Sequence, residues 1–351
     1  MERILILGAG AIGGSIAGYL ARAGCDVTIA DIWSQHVHRI QDDGLTIEAP
    51  DETFTAQMPA LHTDELQRLP GPVDVLMIST KTYDTEWAYQ LAAPYLADDG
   101  VVLSAQNGMV EEQLPRYADM ERVVGCPVMF AGECMEAGTV IRRSPASWPV
   151  LALGELDGQP TARVDRLQAL LAPVGEIQVT DDIIGKLWAK LAVNAMSNGT
   201  SALTLATTGM VWGDAAYVEL TVALAAETAR VAEAAGIAMQ PVFARAPQDV
   251  LVRAYDGERE AIDASIAWFG EVAEQRKGER GNRPSMLQDI LKGRRTEVDD
   301  INGYVCSRGR AVGVATPVND HLRALVREVD RGHRKPGPTN LVDLQRAVPV
   351  A

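Results

Sequence analysis

The first 31 residues constrain the fold of this chain more than any other stretch. An apolar run ILIL at 4–7 ends in the glycine-rich GAGAIGG, the helical stretch SIAGYLARAG follows, and DVTIAD at 26–31 has the character of a second strand. Two strands joined through a helix in so few residues form a βαβ unit, whose strands are parallel. The chain is therefore expected to begin with an α/β domain of the Rossmann type, built on a parallel sheet.

The glycine turn of this unit has the pattern of a nucleotide site. Gly8, Gly10 and Gly13 match GxGxxG between a strand and a helix. In a dinucleotide-binding turn the first glycine permits the tight bend, the second lets pyrophosphate approach the backbone, and the third lets helix pack on strand. The amides at the helix start, here Ala11 and Ile12, then hold the phosphate charge. A glycine turn without a ligand is the alternative, and the flanking strand and helix favour the dinucleotide.

Asp31 bears on which dinucleotide is bound. It ends the second strand, 18 positions after Gly13. An acidic side chain at this position accepts hydrogen bonds from the ribose 2′-hydroxyl of NAD and repels the 2′-phosphate of NADP. The alternative is that Asp31 only caps the helix that follows. The residue favours NAD over NADP.

The remainder of the first domain is expected to extend the sheet. The strand-like runs are VDVLMIST (73–80), GVVLSAQNG (100–108), RVVGCPVMF (122–130), and two antiparallel edge strands of the same sheet around 139–155. Lys81 and Asn107 follow two of these runs, at the carboxyl end of the sheet, where ligands bind. A surface lysine and an ordinary Asn-Gly turn are the plain alternatives. We predict that the domain covers residues 1–180.

A helical second domain is predicted for residues 181–332. Its segments 181–232 and 259–330 are rich in Ala, Leu, Glu and Arg at helical spacing, with few strand signals. The polar, proline-bearing segment 333–351 is expected to be a loose C-terminal tail.

Charge and composition exclude several classes of partner. The formal net charge of −15 argues against nucleic acid and against an anionic membrane surface. No stretch approaches the ~20 apolar residues of a membrane helix, and MERILILGAG lacks the pattern of a signal peptide. The four cysteines form no CxxC pair or metal-like cluster, so no metal site is predicted and a reduced, cytoplasmic enzyme is expected.

A polar stripe runs along the otherwise apolar segment LWAKLAVNAMSNGTSAL, residues 187–203. Lys190, Asn194 and Asn198 recur at intervals of four, which places them on one face of a helix. Burial on such a face would lower the pKa of a lysine toward the range useful for acid catalysis. The alternative is a lysine at a helix N-terminus that reaches solvent, with asparagines that bond to nearby backbone.

The positions of the histidines favour a lysine as the proton donor. A nicotinamide enzyme that reduces a ketone needs a donor beside the carbonyl oxygen, and many such enzymes use histidine. The five histidines lie in the outer segments of the nucleotide domain or near the C-terminus, none in a promising motif: His36, His38, His62, His321 and His333.

A second polar motif is PSMLQDILKGRRTEVDDINGYV, residues 284–305. Ser285 and Gln288 match an S-x-x-Q capping box, which is a sufficient structural reason for the serine. Glu297 is either an exposed ion-pair partner or a side chain that faces the cleft and bonds the hydroxyl of the substrate. The residue chemistry alone leaves both interpretations open.

Taken in order and spacing, five of these motifs resemble the ketopantoate reductase (2-dehydropantoate 2-reductase) family. They are GAGAIGG, the TK of STKTYD, the QNGM of SAQNGM, LWAKLAVN and SMLQDILKGRRTEVDDINGYV, spread from residue 4 to about 320. The resemblance implies a Rossmann domain, an all-α domain of the 6-phosphogluconate dehydrogenase type and a cleft between them. It also implies reduction of 2-dehydropantoate to (R)-pantoate, on the way to coenzyme A, usually with NADPH.

The resemblance carries roles onto residues of this chain. It implies that Lys190 and Glu297 form the catalytic pair. Lys190 would be the general acid, and Glu297 would bind the substrate. Asn107, Asn194, Asn198 and Ser285 line the substrate site, and Lys81 sits between cofactor and substrate.

Two features depart from the family pattern. NADPH-using members tend to have a basic residue where this chain has Asp31, and this chain has extra sequence around 210–285. An NAD-dependent dehydrogenase for a different 2-oxo or hydroxy acid is therefore an alternative, and a non-catalytic dinucleotide sensor is a second one. The expected partner is a small 2-oxo or hydroxy acid, and a homodimer is the assembly to test for.

Overall fold

The computed structural model describes residues 1–145, 148–275 and 281–348. The chain divides into two compact units, Met1–Ile183 and Ile184–Ala351. Each unit is described by itself below.

The first unit is built on a parallel sheet. Its strands are β1 (Arg3–Leu7), β2 (Asp26–Asp31), β3 (Leu45–Glu48), β4 (Thr53–Ala56), β5 (Ala60–His62), β6 (Val73–Ile78), β7 (Leu96–Ser104), β8 (Val123–Val124), β9 (Gly132–Glu133), β10 (Thr139–Arg142), β11 (Pro149–Leu153) and β12 (Glu176–Val179). Six of them form one sheet in the order β5-β2-β1-β6-β7-β8, and every neighbouring pair is parallel. The α/β fold class predicted for this part of the chain is confirmed.

Both faces of this sheet are covered, which explains why β1 is a continuous apolar run. Ile4 and Ile6 pack into one apolar core, and Leu5 and Leu7 pack into another on the opposite face. A parallel strand buried on both faces has no reason to alternate with polar residues. The helices of the unit are α1 (Ala11–Arg22), α2 (Ser34–Asp43), α3 (Thr85–Ala92) and α4 (Ala162–Leu171).

The edge strands lie elsewhere than the sequence suggested. β10 belongs to a second sheet of order β4-β3-β10-β9, in which it is parallel to β3 and antiparallel to β9. β11 pairs in parallel with β12 and touches the 125–128 segment through isolated antiparallel bridges. Antiparallel pairing beside the parallel sheet is present, as predicted, but β10 lies in this second sheet and not at the edge of the main one. Val140 of β10 and Ile47 of β3 pack in the same apolar core as Ile4 and Ile6.

The second unit is helical, as predicted. Its helices are α5 (Ile183–Thr204), α6 (Thr208–Gly213), α7 (Ala215–Ala234), α8 (Gln248–Tyr255), α9 (Arg259–Gln275), α10 (Ser285–Leu291), α11 (Asn302–Val312), α12 (Pro317–Asp330) and α13 (Asn340–Gln345). Among the described residues of both units, no helix combines the length and the apolar character that crossing a bilayer requires.

Part of the segment expected to be a loose tail forms the helix α13 and packs against the second unit. Leu344 of α13 is fully buried, and the Asn340 amide donates to the carbonyl of Leu203 at 3.0 Å. The apolar residues interspersed in this polar segment give it something to bury, which the polar composition concealed. Residues 349–351 of the predicted tail lie outside the described residues.

Candidate active site

The glycine turn adopts a nucleotide-binding geometry. Gly8 has a φ of +94°, and a Cβ there would lie 2.8 Å from the Ser79 carbonyl group. A Cβ on Gly13 would lie 2.0 Å from the Gly8 oxygen, so the third glycine is what allows α1 to pack on the strand. A Cβ on Gly10, by contrast, would meet nothing within 4 Å. The turn is closed where its glycines pack and open at Gly10.

Ala11 and Ile12 are the first two residues of α1, and both are half-buried. Amides in the first turn of a helix have no partner within the helix and bind anions readily. Gly10, at the N-cap, has no side chain to satisfy them. The arrangement fits a pyrophosphate, because Gly10 has no side chain and leaves open space beside these amides.

Asp31 is held against this turn. Its Oδ2 accepts from the Ala9 N–H at 2.7 Å, and its Oδ1 accepts from the Trp33 N–H at 2.8 Å. Trp33, and not Asp31, is the N-cap residue of α2, so the capping alternative is not what the structure shows. A carboxylate oxygen accepts more than one bond, which leaves acceptor capacity for a ribose hydroxyl.

A buried histidine, which the sequence gave no reason to single out, also contacts the turn. His36 is fully buried, with Nε2 2.9 Å from the Ala9 oxygen and Nδ1 accepting from the Gly138 N–H at 2.8 Å. Its ring stacks on that of Trp33. The description of His36 as part of an outer segment was wrong, because α2 turns this residue inward under the glycine turn.

Lys81 and Asn107 follow neighbouring strands, as predicted. The Gln106 amide donates to the carbonyl of Lys81 at 3.2 Å, and the Thr82 hydroxyl donates to the carbonyl of Asn107 at 3.2 Å. These bonds join the loops after β6 and β7 into one polar rim at the carboxyl edge of the sheet. Both Lys81 and Asn107 are half-buried in that rim.

The polar stripe of the second unit lies in the interior of a long helix. α5 begins at Ile183, so Lys190 stands about two turns inside it and is half-buried. Asn194 and Asn198 are only 9% and 6% exposed. A lysine at a helix N-terminus is therefore excluded, and the asparagines lie on a buried face.

The neighbouring face of α5 packs on α11 and thereby fixes the orientation of the stripe. The Asn302 amide donates to the carbonyl of Ala195 at 2.9 Å, and the rings of Trp188 and Tyr304 lie 5.9 Å apart. Asn302 also donates to Asn319, whose amide in turn donates to Glu227 at 2.7 Å. A chain of buried hydrogen bonds thus connects α5 to α7 through α11 and α12.

Glu297 lies in the loop before α11 and is 2% exposed, so it is not a surface ion-pair partner. The Ser285 hydroxyl donates to its Oε2 at 3.3 Å. Ser285 is the first residue of α10, after Pro284 at the N-cap, and the Gln288 amide donates to the carbonyl of Arg283. The capping-box interpretation is therefore wrong, because the helix begins at Ser285, one residue earlier than the motif requires.

Asp300, three residues further on, adds a second, half-buried acid that the sequence did not reveal. Burial and, to a smaller extent, the nearby charge of Glu297 raise the pKa of its carboxyl to about 6. Its Oδ2 is buried and has no hydrogen-bond partner among the residues that the structure describes. The DD pair in TEVDDING was the only available signal.

Comparison with known proteins agrees with this architecture. The family model for ketopantoate reductase PanE/ApbA matches residues 4–157, and that for its C-terminal domain matches residues 182–330. A 2-dehydropantoate 2-reductase of Mesorhizobium japonicum is 30% identical over 356 aligned residues, which cover 94% of this chain and 99% of the relative. The chain belongs to the ketopantoate reductase family.

Solved structures show the same fold over nearly the whole chain. A PanE/ApbA family ketopantoate reductase from Ralstonia eutropha JMP134 is 27% identical with a TM-score of 0.76, covering 95% of this chain and 100% of that one. A D-mandelate dehydrogenase with NADH and anilino(oxo)acetate is 24% identical with a TM-score of 0.80, covering 95% and 99%. At that identity the second likeness concerns the fold alone.

As a member of this family the protein is an NAD(P)-dependent oxidoreductase of the CH–OH group. The glycine turn of the first unit fits such a cofactor, because its one open glycine lies beside the amides of α1. Gly8, Gly10, Ala11, Ile12, Gly13 and Asp31 are the residues that would hold it.

Proposed function

We propose that the protein reduces 2-dehydropantoate to (R)-pantoate with Lys190 as the proton donor. The observation that carries this proposal is the buried polar stripe of α5. Asn194 and Asn198 are nine-tenths buried in a helix that is otherwise mostly apolar. Lys190, Asn194 and Asn198 share one face of this helix, where an ammonium and two carboxamides can together hold a substrate with several oxygens.

Each side chain has a chemical task in this proposal. When bound, the reduced nicotinamide supplies the hydride that adds to the carbonyl carbon of the substrate. Lys190 donates a proton to the carbonyl oxygen, where negative charge develops. Asn194 and Asn198 hold substrate oxygens from the next two turns of α5.

Glu297 accepts a hydrogen bond from the hydroxyl of the substrate, and Ser285 holds the carboxylate of Glu297 in place. A buried carboxylate that loses its hydroxyl partner is left poorly satisfied, so this contact discriminates strongly between substrates with and without the hydroxyl. Asn107 lines the substrate site, and Lys81 stands between cofactor and substrate on the rim of the sheet.

Asp31 supports a second candidate, an NAD-dependent dehydrogenase that acts on a different 2-hydroxy acid. The carboxylate lies at the end of β2, where it would repel a 2′-phosphate. A non-catalytic dinucleotide sensor accounts for the glycine turn and Asp31, but it gives no reason for the buried stripe of α5 or for Glu297. A homodimer and a cytoplasmic location stay predictions.

Initial rates separate these candidates. The substrates are 2-dehydropantoate, the same 2-oxo acid without its hydroxyl, and benzoylformate, the 2-oxo acid that corresponds to mandelate, each with NADH and with NADPH. The proposal predicts the highest kcat/KM for 2-dehydropantoate and a large loss without the hydroxyl. A preference for benzoylformate would replace the proposed substrate, and no turnover with any 2-oxo acid would favour the sensor.

A further inference from the structure

His36 touches the glycine turn from beneath, and the chemistry proposed above does not use it. The Gly138 N–H donates to its Nδ1 at 2.8 Å, so Nδ1 is an acceptor and the ring proton is on Nε2. Nε2 therefore donates to the Ala9 carbonyl oxygen at 2.9 Å. The tautomer follows from the two contacts together.

The consequence for the turn comes from the planarity of the peptide bond. In a trans peptide the C=O and the following N–H lie in one plane and point in opposite directions. The bond between Ala9 and Gly10 is trans, since the described residues contain no cis peptide. A histidine that holds the Ala9 carbonyl therefore aims the Gly10 N–H to the opposite side of the peptide plane, away from His36.

The preceding peptide is held at both ends. The Ser79 hydroxyl donates to the Gly8 carbonyl at 2.6 Å, and Asp31 accepts from the Ala9 N–H at 2.7 Å. Two successive peptide planes of the turn are thus held by three side chains, those of Ser79 just after β6, of Asp31 in β2 and of His36 in α2. The N–H of the first plane is taken by Asp31, and the N–H of the second plane points away from the carbonyl that His36 holds.

We propose that His36 is a positioning residue for the cofactor, which holds the Ala9–Gly10 peptide so that the Gly10 N–H is aimed at the pyrophosphate. The inference rests on the proposed cofactor site at the glycine turn. In this proposal the Nε2–H donor serves cofactor binding through Ala9. The Nδ1 acceptor attaches the second sheet through Gly138.

Two substitutions distinguish the donor role of Nε2 from the acceptor role of Nδ1. In His36→Gln the side-chain amide reaches the place of Nε2 and still donates to Ala9. In His36→Asn the amide oxygen takes the place of Nδ1 and still accepts from Gly138, but nothing reaches Ala9. Ile40→Val is the matched control, because Ile40 is fully buried on the same helix and its side chain has no group that could hydrogen-bond to the turn.

The measurements are the dissociation constant for NADH by fluorescence, kcat at saturating cofactor, and melting temperature. We expect His36→Asn to weaken NADH binding about tenfold, with His36→Gln within about threefold of wild type and kcat little changed in both. Ile40→Val should lower the melting temperature and leave NADH binding unchanged. Equal NADH affinity in His36→Asn and His36→Gln, with melting temperatures lowered in both, would reduce His36 to a structural residue.

Gly10→Val distinguishes a failure of this inference from a failure of the site itself. If folded Gly10→Val binds NADH normally, the cofactor site is wrong and the inference falls with it. If Gly10→Val loses NADH while His36→Asn keeps it, the site stands and the positioning role of His36 does not.

Discussion

The hydroxyl of Ser285 donates to Oε2 of Glu297 at 3.3 Å, which joins the first turn of α10 to the buried loop before α11. This hydrogen bond accounts for the positions of both side chains. The serine is placed by the carboxylate that it binds, and the hydrogen bond holds one oxygen of the glutamate in a defined orientation.

Ser285→Ala is expected to raise the KM for 2-dehydropantoate several-fold, because Glu297 loses one of the donors that orient it. Glu297→Ala should raise KM far more, since the partner of the substrate hydroxyl is removed. Steady-state kinetics of both variants test this order. The matched control is Ser265→Ala, a buried serine whose hydroxyl donates to the Ala261 carbonyl within α9, and it should leave KM unchanged.

Gly10→Val should abolish dinucleotide binding in a folded protein, because the added side chain projects into open space that the pyrophosphate would occupy. The contrasting variant is Gly13→Ala, whose Cβ would lie 2.0 Å from the Gly8 oxygen and should destabilise the fold itself. Melting temperature and NADH titration distinguish the two. A folded Gly10→Val protein with normal NADH affinity would remove the assignment of the site.

The protein is expected to use NADH better than NADPH, because Asp31 accepts from a 2′-hydroxyl and repels a 2′-phosphate. Asp31→Asn keeps an acceptor for the Ala9 N–H and loses the charge, so the NADPH penalty should shrink while the turn survives. Asp31→Arg should shift preference toward NADPH at a cost in stability, since both backbone bonds of Asp31 are lost. A wild-type enzyme that already prefers NADPH by a wide margin would contradict this reasoning.

Glu227 predicts a pH dependence of stability. Burial raises the pKa of its carboxyl from 4.5 to about 7, against the opposing effect of the N–H donors of Val318 and Asn319. Because the pKa is higher in the folded state than in the unfolded one, the contribution of Glu227 to the free energy of unfolding is fully present below pH 4.5. It is lost as the pH rises through about 7.

Denaturant unfolding of wild type and Glu227→Gln at several pH values measures the effect. Relative to the variant, wild type should lose about 3 kcal/mol between about pH 5 and about pH 8, because each pKa unit corresponds to about 1.4 kcal/mol. A difference between the two proteins that is independent of pH would show that the carboxyl does not titrate in this range.

Local patterns in the sequence were sufficient to predict the parts of the site that depend on one element. The GxGxxG turn is set by its own strand and helix, and the spacing of Lys190, Asn194 and Asn198 needs only the period of a helix. The loops that carry Lys81 and Asn107 could be placed at one edge because neighbouring parallel strands end together.

The parts that the sequence did not reveal depend on contacts between distant segments. The roles of His36 and Gly138 arise from residues 102 positions apart, and those of Asn302 and Ala195 from residues 107 apart. Ser285 matched a capping motif that is local, yet its partner comes from the following loop. The periodicity of one segment cannot predict contacts with residues of another segment.

The most direct test of the account is Lys190→Ala, with kcat measured at saturating substrate and cofactor beside NADH affinity and melting temperature. The control is Lys335→Ala, an exposed lysine of the same unit. We expect Lys190→Ala to keep NADH affinity and to lose ~10²–10⁴-fold in kcat, because a positioned acid is removed. A well-folded Lys190→Ala enzyme with near-native kcat would contradict the assignment of the proton donor.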